Sequence, residues 1–411
     1  MGARFPETNI QARQTIGIDH RTAQPEGGGS LFVDIVEVFG TTPFAGSHWD
    51  PFPLPAQLPL SRTGSKPRGI SRYGDHMAAD AEVLELAGRE VRITSPDKVM
   101  FRERGETKLD LVNYYAAVDE PLMRTMGGRP VLMQRFPQGA GGPSFFQKRV
   151  PDTIPDWLET TTVETVNGTP SRALVAADVA HVAWAVNLAC LGFHVWPSTA
   201  ADPDHADELR LDLDPQPGTG FAEARAAAWE LKALLDELGI AGFPKTTGNR
   251  GLHVYVRLQP RWSSYEVRSA AVAVARELGR RRPDILTAAW WKEERGERIF
   301  VDYNQNAPHK TVFGAWSVRA RVGGQVSTPL SWDELDDVDP NQLTLATVPA
   351  RLLRDGDPWE GIEAPQSLEP LLAMHERDTA NGLLDAPWPP VYPKQPNEPP
   401  RVAPSRARTQ P

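Results

Sequence analysis

Two aspartates alternate with leucines in the segment ELRLDLD, residues 208–214. Residues two apart in a β-strand point to the same face, so Asp212 and Asp214 are expected to project together. Adjacent anions raise each other's pKa, which a bound cation relieves. A third carboxylate, Asp302, ends the apolar run RIFVD. Three carboxylates meeting across a sheet would suit two ions of Mn²⁺ or Mg²⁺, as in phosphoryl chemistry. A solvated edge strand is the alternative for the pair.

A polar loop with two glycines precedes another apolar run in KTTGNRGLHVYV, residues 245–256. The glycines allow the backbone to approach a ligand, and Thr247, Arg250 and His253 carry groups that can contact phosphate. The loop lacks the G-x-x-x-x-G-K spacing of a Walker loop. The alternative is a plain loop followed by a histidine in the core.

Basic residues follow the third aspartate in QNAPHKTVFGAWSVRAR, residues 305–321. Arg319 and Arg321 would share one face of a strand, and with Lys310 they could hold a triphosphate beside a metal site. A solvated basic face is the alternative. His194, in GFHVWPS, is a candidate ligand contact whose alternative is a half-buried structural histidine.

Two adjacent aromatic residues, Phe145 and Phe146, occur in GGPSFFQKRVP. In a strand they would point to opposite faces, so one is expected to be exposed if the other lies in the core. An exposed phenylalanine beside Lys148 and Arg149 could stack on a nucleic-acid base. Ordinary packing is the alternative.

The elements that must position these residues alternate between helix and strand. Thr107, with Asp110 three residues on, predicts the start of a helix that continues to residue 126 and ends at two glycines. Further helices are predicted at 222–239 and 265–282, and strands at 129–136, 208–214, 251–258 and 298–304.

Charge by itself argues against a nucleic-acid partner, because 44 Lys and Arg against 53 Asp and Glu give a net charge of −9. The acidic residues are unevenly placed, however. Residues 333–385 contain 13 acidic residues and 3 arginines, so the rest of the chain has 41 basic and 40 acidic residues. We predict that this acidic stretch faces away from any DNA, and net charge then excludes no nucleic-acid function.

The chain has one cysteine, Cys190, and no Cys/His cluster, which fits a reducing compartment. Neither a run of about 18 apolar residues nor a signal peptide is visible. The sequence therefore predicts a cytoplasmic protein with no membrane partner, and we expect a monomer.

Four regions are predicted along the chain. Residues 1–80 should be disordered or a mis-annotated N-terminal segment, and 81–358 should form the catalytic domain. Residues 359–385 form an acidic C-terminal extension, and 386–411 a Pro-rich extended tail.

In order along the chain, these motifs resemble the polymerase domain of bacterial DNA ligase D, in the archaeo-eukaryotic primase superfamily. The likeness runs from about residue 93 to 357, through ITSPDKVMFRERGETKLDLVNYY, FFQK, GFHVWPS, LRLDLDP, TTGNRGLHVYV, IFVDYNQNAPHKTVFGAWSVRAR and STPLSWDEL. It implies an α+β fold: a primase-like core of mixed sheets with flanking helices, between a disordered N-terminal and a Pro-rich C-terminal segment.

The resemblance also implies roles for individual residues. The three aspartates would bind two Mn²⁺ or Mg²⁺ ions. The nucleotide pocket would be lined by His194 near the sugar, Thr247, Arg250, His253, Gln305, Lys310 and Arg319. DNA would be contacted by Lys98 and Lys108 at a 5′-phosphate, by Phe145 and Phe146 at the templating base, and by Arg135 and Arg321. Two ammonium groups favour a terminal phosphate because it carries more charge than an internal one.

Three positions depart from the family pattern: Ser95 stands where Asn is common, Thr247 replaces Ser, and Gln134 takes a place that is often basic. These changes are expected to alter phosphate affinity. A K-x-D-G adenylation motif and a phosphoesterase-like region are missing from the 411 residues, which favours a stand-alone member.

The function implied is a DNA-repair primase-polymerase. It would add nucleotides, preferring ribonucleotides, to a 3′-end at short gaps or broken ends, with nucleoid DNA bearing a 5′-phosphate, NTP or dNTP, and a separate ligase or Ku as partners. One alternative is a primase that starts chains without a primer. Another is a non-catalytic end-binding module that recruits ligase or Ku, although a binding module has little need of three adjacent carboxylates.

Overall fold

The computed structural model describes residues 81–321 and 323–401, so the disorder predicted for residues 1–80 and the tail beyond 401 lie outside the described residues. The strands are β1 Ala81–Leu86, β2 Arg89–Thr94, β3 Pro130–Arg135, β4 Phe145–Gln147, β5 Thr160–Glu164, β6 Pro170–Val175, β7 Cys190–Val195, β8 Ala206–Pro215, β9 Phe243–Thr246, β10 Leu252–Trp262, β11 Leu286–Thr287, β12 Ile299–Asp302 and β13 Val312–Phe313. The α-helices are α1 Lys108–Ala117, α2 Asp119–Met126, α3 Val179–Asn187, α4 Phe221–Glu237, α5 Ser264–Arg281, α6 Lys292–Arg295, α7 Val348–Asp355 and α8 Glu369–Ala380. Short 3₁₀ helices span Tyr303–Asn306 and Pro340–Gln342.

Two sheets organise the fold. The first, which we call the carboxylate sheet, has the strand order β11-β12-β8-β10-β9 and is antiparallel except for the β11–β12 pair. The second, which we call the aromatic sheet, has the order β13-β7-β3-β6-β5, with β4 paired to β3, and is antiparallel throughout. β1 and β2 form a separate hairpin. The mixed α+β fold predicted from the sequence is confirmed.

Helices cover the carboxylate sheet because each offers a small-residue apolar face. α4 buries Ala224, Ala227 and Leu231, whose spacing of three and four residues places them on one side of the helix. α5 likewise buries a nearly continuous run of alanines and valines against β8. Small side chains let the helices lie close to the strands that carry the predicted site.

The predicted elements are largely observed. The strands predicted at 208–214, 251–258 and 298–304 correspond to β8, β10 and β12, and the two long helices to α4 and α5. The single helix predicted up to residue 126 is wrong, because it divides at Val118 into α1 and α2. Pro121 has no N–H to donate to the carbonyl of Ala117, which accounts for the break.

The C-terminal regions pack against the rest of the described chain. Trp359 and Ile362, at the start of the predicted acidic extension, are fully buried in the main core. α8 packs against α5. The described part of the Pro-rich stretch, residues 386–401, has no regular secondary structure and is docked, with Trp388 and Tyr392 buried. Within the described ranges, no helix is both long and apolar enough to cross a membrane.

The helix start predicted at Thr107 is confirmed as a capping box. Thr107 Oγ accepts the N–H of Asp110 at 3.2 Å, and the Asp110 carboxylate accepts the N–H of Thr107 at 2.8 Å. We expect Thr107→Ala to lower the free energy of unfolding by about 1 kcal/mol and Thr107→Ser to change it little, because serine keeps the cap. Urea denaturation of both variants tests this. Equal losses would show that the cap hydroxyl contributes nothing.

Candidate active site

The three predicted carboxylates lie on two neighbouring strands of the carboxylate sheet. Asp302 on β12 stands directly opposite Asp212 on β8 in the antiparallel register, and Asp214 follows two residues later on the same face of β8. Directly paired residues on neighbouring antiparallel strands have Cβ atoms about 5 Å apart. β8 is an inner strand, flanked by β12 and β10, so the alternative of a solvated edge strand is excluded.

Negative charge accumulates at this point, and the nearby cations Lys310 and Arg295 offset it only in part. Burial, and then the charge of Asp212, raise the pKa of Asp214 to about 6. The same two causes, in the same order, raise the pKa of Asp302 to about 6. The raised pKa values show that ionisation of both carboxyls is disfavoured by burial and by the neighbouring negative charge.

Local donors hold the carboxylates in place. Gln216 Nε2 donates to Asp214 Oδ2 at 3.0 Å, and Gln305 Nε2 donates to Asp302 Oδ2 at 3.0 Å. Over residues 81–321 and 323–401, no three His, Cys, Asp or Glu side chains converge closely enough to hold an ion as they stand. The chemistry of the donor set nevertheless suits Mn²⁺ or Mg²⁺, since hard divalent cations prefer carboxylate oxygens and would relieve the repulsion.

His253 completes a row across three strands. It lies opposite Asp212 on β10, with its Nε2 3.3 Å from Asp212 Oδ1, and Lys245 on β9 is its neighbour on the other side. Burial, followed by the charge of Lys245, lowers the pKa of His253 well below its ordinary value. The imidazole is therefore neutral at physiological pH.

The polar loop reaches both the carboxylate strand and the basic segment. A Cβ on Gly251 would lie 2.7 Å from the carbonyl oxygen of Leu213, between the two aspartates of β8. Gly248 has a φ of +70°, and a Cβ there would lie 2.6 Å from the Arg319 side chain. Thr247 Oγ accepts the N–H of Asn249 at 3.2 Å, which shapes the turn. Glycine is therefore required at both positions, because a side chain would collide with β8 at Gly251 and with Arg319 at Gly248.

Cations gather beside the loop. Arg319 Nε donates to the carbonyl of Thr247 at 2.8 Å, and its guanidinium lies 3.6 Å from the ring centroid of Phe313. Arg250 and Arg321 are exposed, and burial together with the charge of Arg250 lowers the pKa of Arg321. Lys310 lies near enough to Asp302 for its charge to lower that carboxyl's pKa against the effect of burial. Neighbouring cations of this kind suit a polyphosphate.

Lys245 was not among the predicted site residues. It is fully buried, and its Nζ donates to Ser327 Oγ at 2.6 Å and to the carbonyl of Phe313 at 3.1 Å. Burial, then the charge of Arg319, lower its pKa well below the ordinary value. Because residues two apart share a face of a strand, its position two residues before Thr247 was an available signal.

Arg295 and Gln216 were also missed. Arg295 Nη1 donates to Gln216 Oε1 at 3.3 Å, and Gln216 in turn binds Asp214. The carboxylates of Asp302 and Asp214 both act to raise the pKa of Arg295 against burial, so its charge is close to the site. Gln216 follows the aspartates by two residues, whereas nothing near Arg295 in the sequence indicates its position.

An aromatic row connects the site to the surface. The ring of His194 meets Phe146 edge to face at 5.2 Å and Phe313 at 5.3 Å between centroids. Burial, then the charge of Arg319, lower the pKa of His194 to about 3, so it is neutral. Phe145 and Phe146 are 46% and 57% exposed, which excludes ordinary core packing for either.

Arg135, predicted to contact DNA, makes several contacts within the protein. Its Nε donates to the carbonyl of Leu188 and its Nη1 to Gln147 Oε1, both at 2.6 Å. The guanidinium lies 5.2 Å from the ring centroid of Phe145. In this structure Arg135 supports an exposed aromatic ring and has two of its donors occupied within the protein.

Lys98 and Lys108 are brought together, but they differ in accessibility. The N–H of Lys108 donates to the carbonyl of Lys98 at 2.8 Å. Lys98 is exposed, and its ammonium donates to the carbonyl of Pro137. Lys108 is 5% exposed, and its Nζ donates to the carbonyls of Thr94 at 2.5 Å and Asn187 at 3.2 Å. Lys98 is thus the more accessible of the two ammonium groups.

The raised pKa of Asp302 leads to a stability prediction. The pKa of Asp302 is about 6 in the folded protein, whereas an ordinary aspartate has a pKa near 4. The free energy of unfolding should therefore fall as the pH rises from 4 through 6, because ionisation of Asp302 is disfavoured in the fold. Asp302→Asn should therefore raise the free energy of unfolding of the metal-free protein by about 1–3 kcal/mol at pH 7.5, with no gain at pH 4. Denaturation at both pH values measures this, with the exposed Asp156→Asn as control. A loss of stability at pH 7.5 would contradict it.

Comparison with known proteins agrees with this geometry. The family model described as the primase-polymerase domain of LigD matches residues 107–359. The multifunctional non-homologous end joining DNA repair protein LigD of Mycobacterium tuberculosis strain H37Rv is 34% identical over 295 residues, which cover 70% of this chain and 39% of that protein. The bifunctional non-homologous end joining protein LigD of Bacillus subtilis strain 168 is 32% identical over 286 residues, 69% of this chain and 46% of that protein. The chain therefore spans less than half the length of these relatives.

A solved structure, the polymerase domain from Mycobacterium tuberculosis ligase D in complex with DNA, superposes with a TM-score of 0.62 at 33% identity. The superposition covers 66% of this chain and 97% of that one. The matched family region contains the three carboxylates, the glycine loop and the basic segment. The chain belongs to the LigD primase-polymerase domain family, whose members are nucleotidyltransferases.

Proposed function

We propose that this protein is a template-dependent polymerase that adds nucleotides, with a preference for ribonucleotides, to a 3′-end at short gaps or broken ends of DNA. The observation that carries the proposal is the set of three adjacent carboxylates, two with a pKa of about 6, beside the cations of the glycine loop. A binding module has no need for such a costly arrangement of anions.

Asp212, Asp214 and Asp302 would hold two Mn²⁺ or Mg²⁺ ions. When bound, such ions supply charge stabilisation for in-line attack of a 3′-hydroxyl on an α-phosphate. Gln216 and Gln305 orient two of the carboxylates through hydrogen bonds of 3.0 Å. The neutral His253, beside Asp212, can offer a hydrogen bond to a phosphate oxygen without adding charge.

The triphosphate would lie between Thr247, Arg250 and Arg319, with Lys310 on the opposite side near Asp302. His194, flanked by Phe146 and Phe313, would pack near the sugar. The exposed ring of Phe146 would stack on the templating base, since every base presents a π-face. The aromatic row supports a template that lies next to the nucleotide.

The DNA partner is proposed to be a gapped or broken duplex with a 5′-phosphate. The solved relative is described as a complex with DNA, which supports the same class of ligand here. Lys98 is the accessible cation for the 5′-phosphate, and Arg321 adds positive charge nearer the glycine loop. A separate ligase or Ku would act on the same ends, with the polymerase as a monomer.

Removal of one carboxylate tests the catalytic proposal. We expect Asp212→Asn to lower primer extension on a gapped duplex with Mn²⁺ by about 1,000-fold or more, because several kcal/mol of transition-state stabilisation are lost. DNA affinity, measured by fluorescence anisotropy, should stay the same or increase, since a negative charge is removed. Asp236→Asn, at an exposed site on α4, is the matched control. Extension at the wild-type rate by Asp212→Asn would refute the assignment.

The 5′-phosphate contact is tested by pairing a variant with a substrate change. We expect the wild-type protein to prefer a gap whose downstream end carries a 5′-phosphate, and Lys98→Ala to reduce that preference by about 10-fold, since charge-assisted hydrogen bonds contribute about 1.5–3 kcal/mol. The ratio of the affinities for gaps with and without the 5′-phosphate, measured for both proteins, gives this preference. Lys232→Ala, whose ammonium pairs with Asp236 on α4, is the control. An unchanged preference in Lys98→Ala would exclude the role.

A further inference from the structure

The chain after α8 contacts the segment that carries the third carboxylate. We call residues 385–401 the strap and residues 302–310 the catalytic loop. The strap lies against α5 and the catalytic loop, and two of its aromatic residues, Trp388 and Tyr392, cluster with Ala307 in a small buried core. It lies outside residues 107–359, the region that matches the family model.

Arg268 joins the strap to the catalytic loop. Its side chain, on α5, is fully buried, and its Nε donates to Asn304 Oδ1 at 2.7 Å. Its Nη1 donates to the carboxylate of Asp385 at 3.1 Å and its Nη2 to the carbonyl of Ala386 at 2.8 Å. The guanidinium also lies 3.8 Å from the ring centroid of Trp388. A buried guanidinium requires such partners, and the strap supplies most of them.

Asn304 carries the connection to the site. Its Nδ2 donates to the carbonyl of Pro387 in the strap at 3.1 Å, and its backbone N–H donates to Asp302 Oδ1 at 3.0 Å. A single residue therefore separates the strap from the third carboxylate.

The far end of the catalytic loop is held in the same way. Tyr392 OH donates to the carbonyl of Pro308 at 2.7 Å, two residues before Lys310. On its other side the loop is fixed to β8, because Asn306 bonds both the N–H of Arg210, at 2.9 Å, and its carbonyl, at 2.8 Å. The loop is thus bracketed between the strand that bears two carboxylates and the strap.

The strap has internal structure of its own. Glu398 is 6% exposed and accepts the N–H groups of Trp388 at 2.9 Å and Gln395 at 3.0 Å. Arg401 donates to both carboxylate oxygens of Glu398, at 2.6 and 2.8 Å. A buried, fully bonded carboxylate at this place fixes the turn that presents Trp388 and Tyr392 to the loop.

We propose that the strap positions the catalytic loop, and that Arg268 and Trp388 act as positioning residues for Asp302 and Lys310. The contribution to catalysis rests on the proposed function, whereas the ordering of the loop does not. Outer contacts that orient metal-binding carboxylates typically affect metal affinity or activity by about 10–100-fold. The strap is the part of the chain that supplies such contacts to Asp302 through Asn304.

The test uses Trp388→Ala in the full-length chain, with Trp388→Phe as the conservative rescue. We expect Trp388→Ala to raise hydrogen exchange at the amides of residues 303–310 and to weaken Mn²⁺ binding, followed by electron paramagnetic resonance of free Mn²⁺, by about 10-fold or more. Trp388→Phe should restore both. Val391→Ala, at a strap residue that is 52% exposed, is the matched control and should leave both unchanged.

Tyr392→Phe provides a second variant that removes one hydroxyl and keeps the ring. It should increase exchange near residue 308 while the amides of α1 and α4 keep their protection, which shows that the fold is intact. Unchanged exchange at 303–310 and unchanged Mn²⁺ affinity in both Trp388→Ala and Tyr392→Phe would overturn the proposal. If both change while the wild-type protein extends no primer, the strap assignment stands and the proposed function fails.

Discussion

The structure depends on the charged side chains that share one face of strand β8 and on the partners that neutralise them. Glu208, Arg210, Asp212 and Asp214 are successive residues of one face. Glu208 is fully buried but surrounded by Arg129, Arg210 and Arg257, and although burial opposes this, the arginines lower its pKa to about 2. At the other end of the strand the pKa of Asp214 is about 6. One end is neutralised within the protein, whereas at the other end the neighbouring carboxyls keep raised pKa values.

The two sheets are joined close to Asp212, at Lys245, which neighbours His253. Lys245, on the carboxylate sheet, donates to the carbonyl of Phe313 on the aromatic sheet, and Arg210 donates to the carbonyl of Val195 at 2.6 Å. These contacts join buried basic side chains of one sheet to backbone oxygens of the other. Arg319 and Phe313 occupy the same junction. Contacts at this junction therefore link the glycine loop and the aromatic row to the carboxylate sheet.

The sequence predicted what depends on local spacing. Strand periodicity was enough to place Asp212 and Asp214 on one face, and the glycine loop was recognisable from its composition. Two side-chain positions were not predictable, because they depend on the end of a helix that is distant in the sequence. The Lys108 side chain points inward to Asn187, and Arg135, which supports Phe145, donates to Leu188. Arg295 and the strap depend likewise on contacts between segments far apart in the chain. Roles for these residues had to come from the fold.

Several carboxylates of the acidic C-terminal stretch make structural ion pairs. Acidic residues of the stretch 333–385 pair with arginines of other elements: Glu334 with Arg351, Asp357 with Arg124, Asp378 with Arg280 and Asp385 with Arg268. Each of these pairs is close to neutral at long range, so these four carboxylates do not themselves oppose the approach of a polyanion. Asp385 also neutralises the guanidinium that anchors the strap. Part of the apparent acidity thus serves to hold the catalytic loop in place.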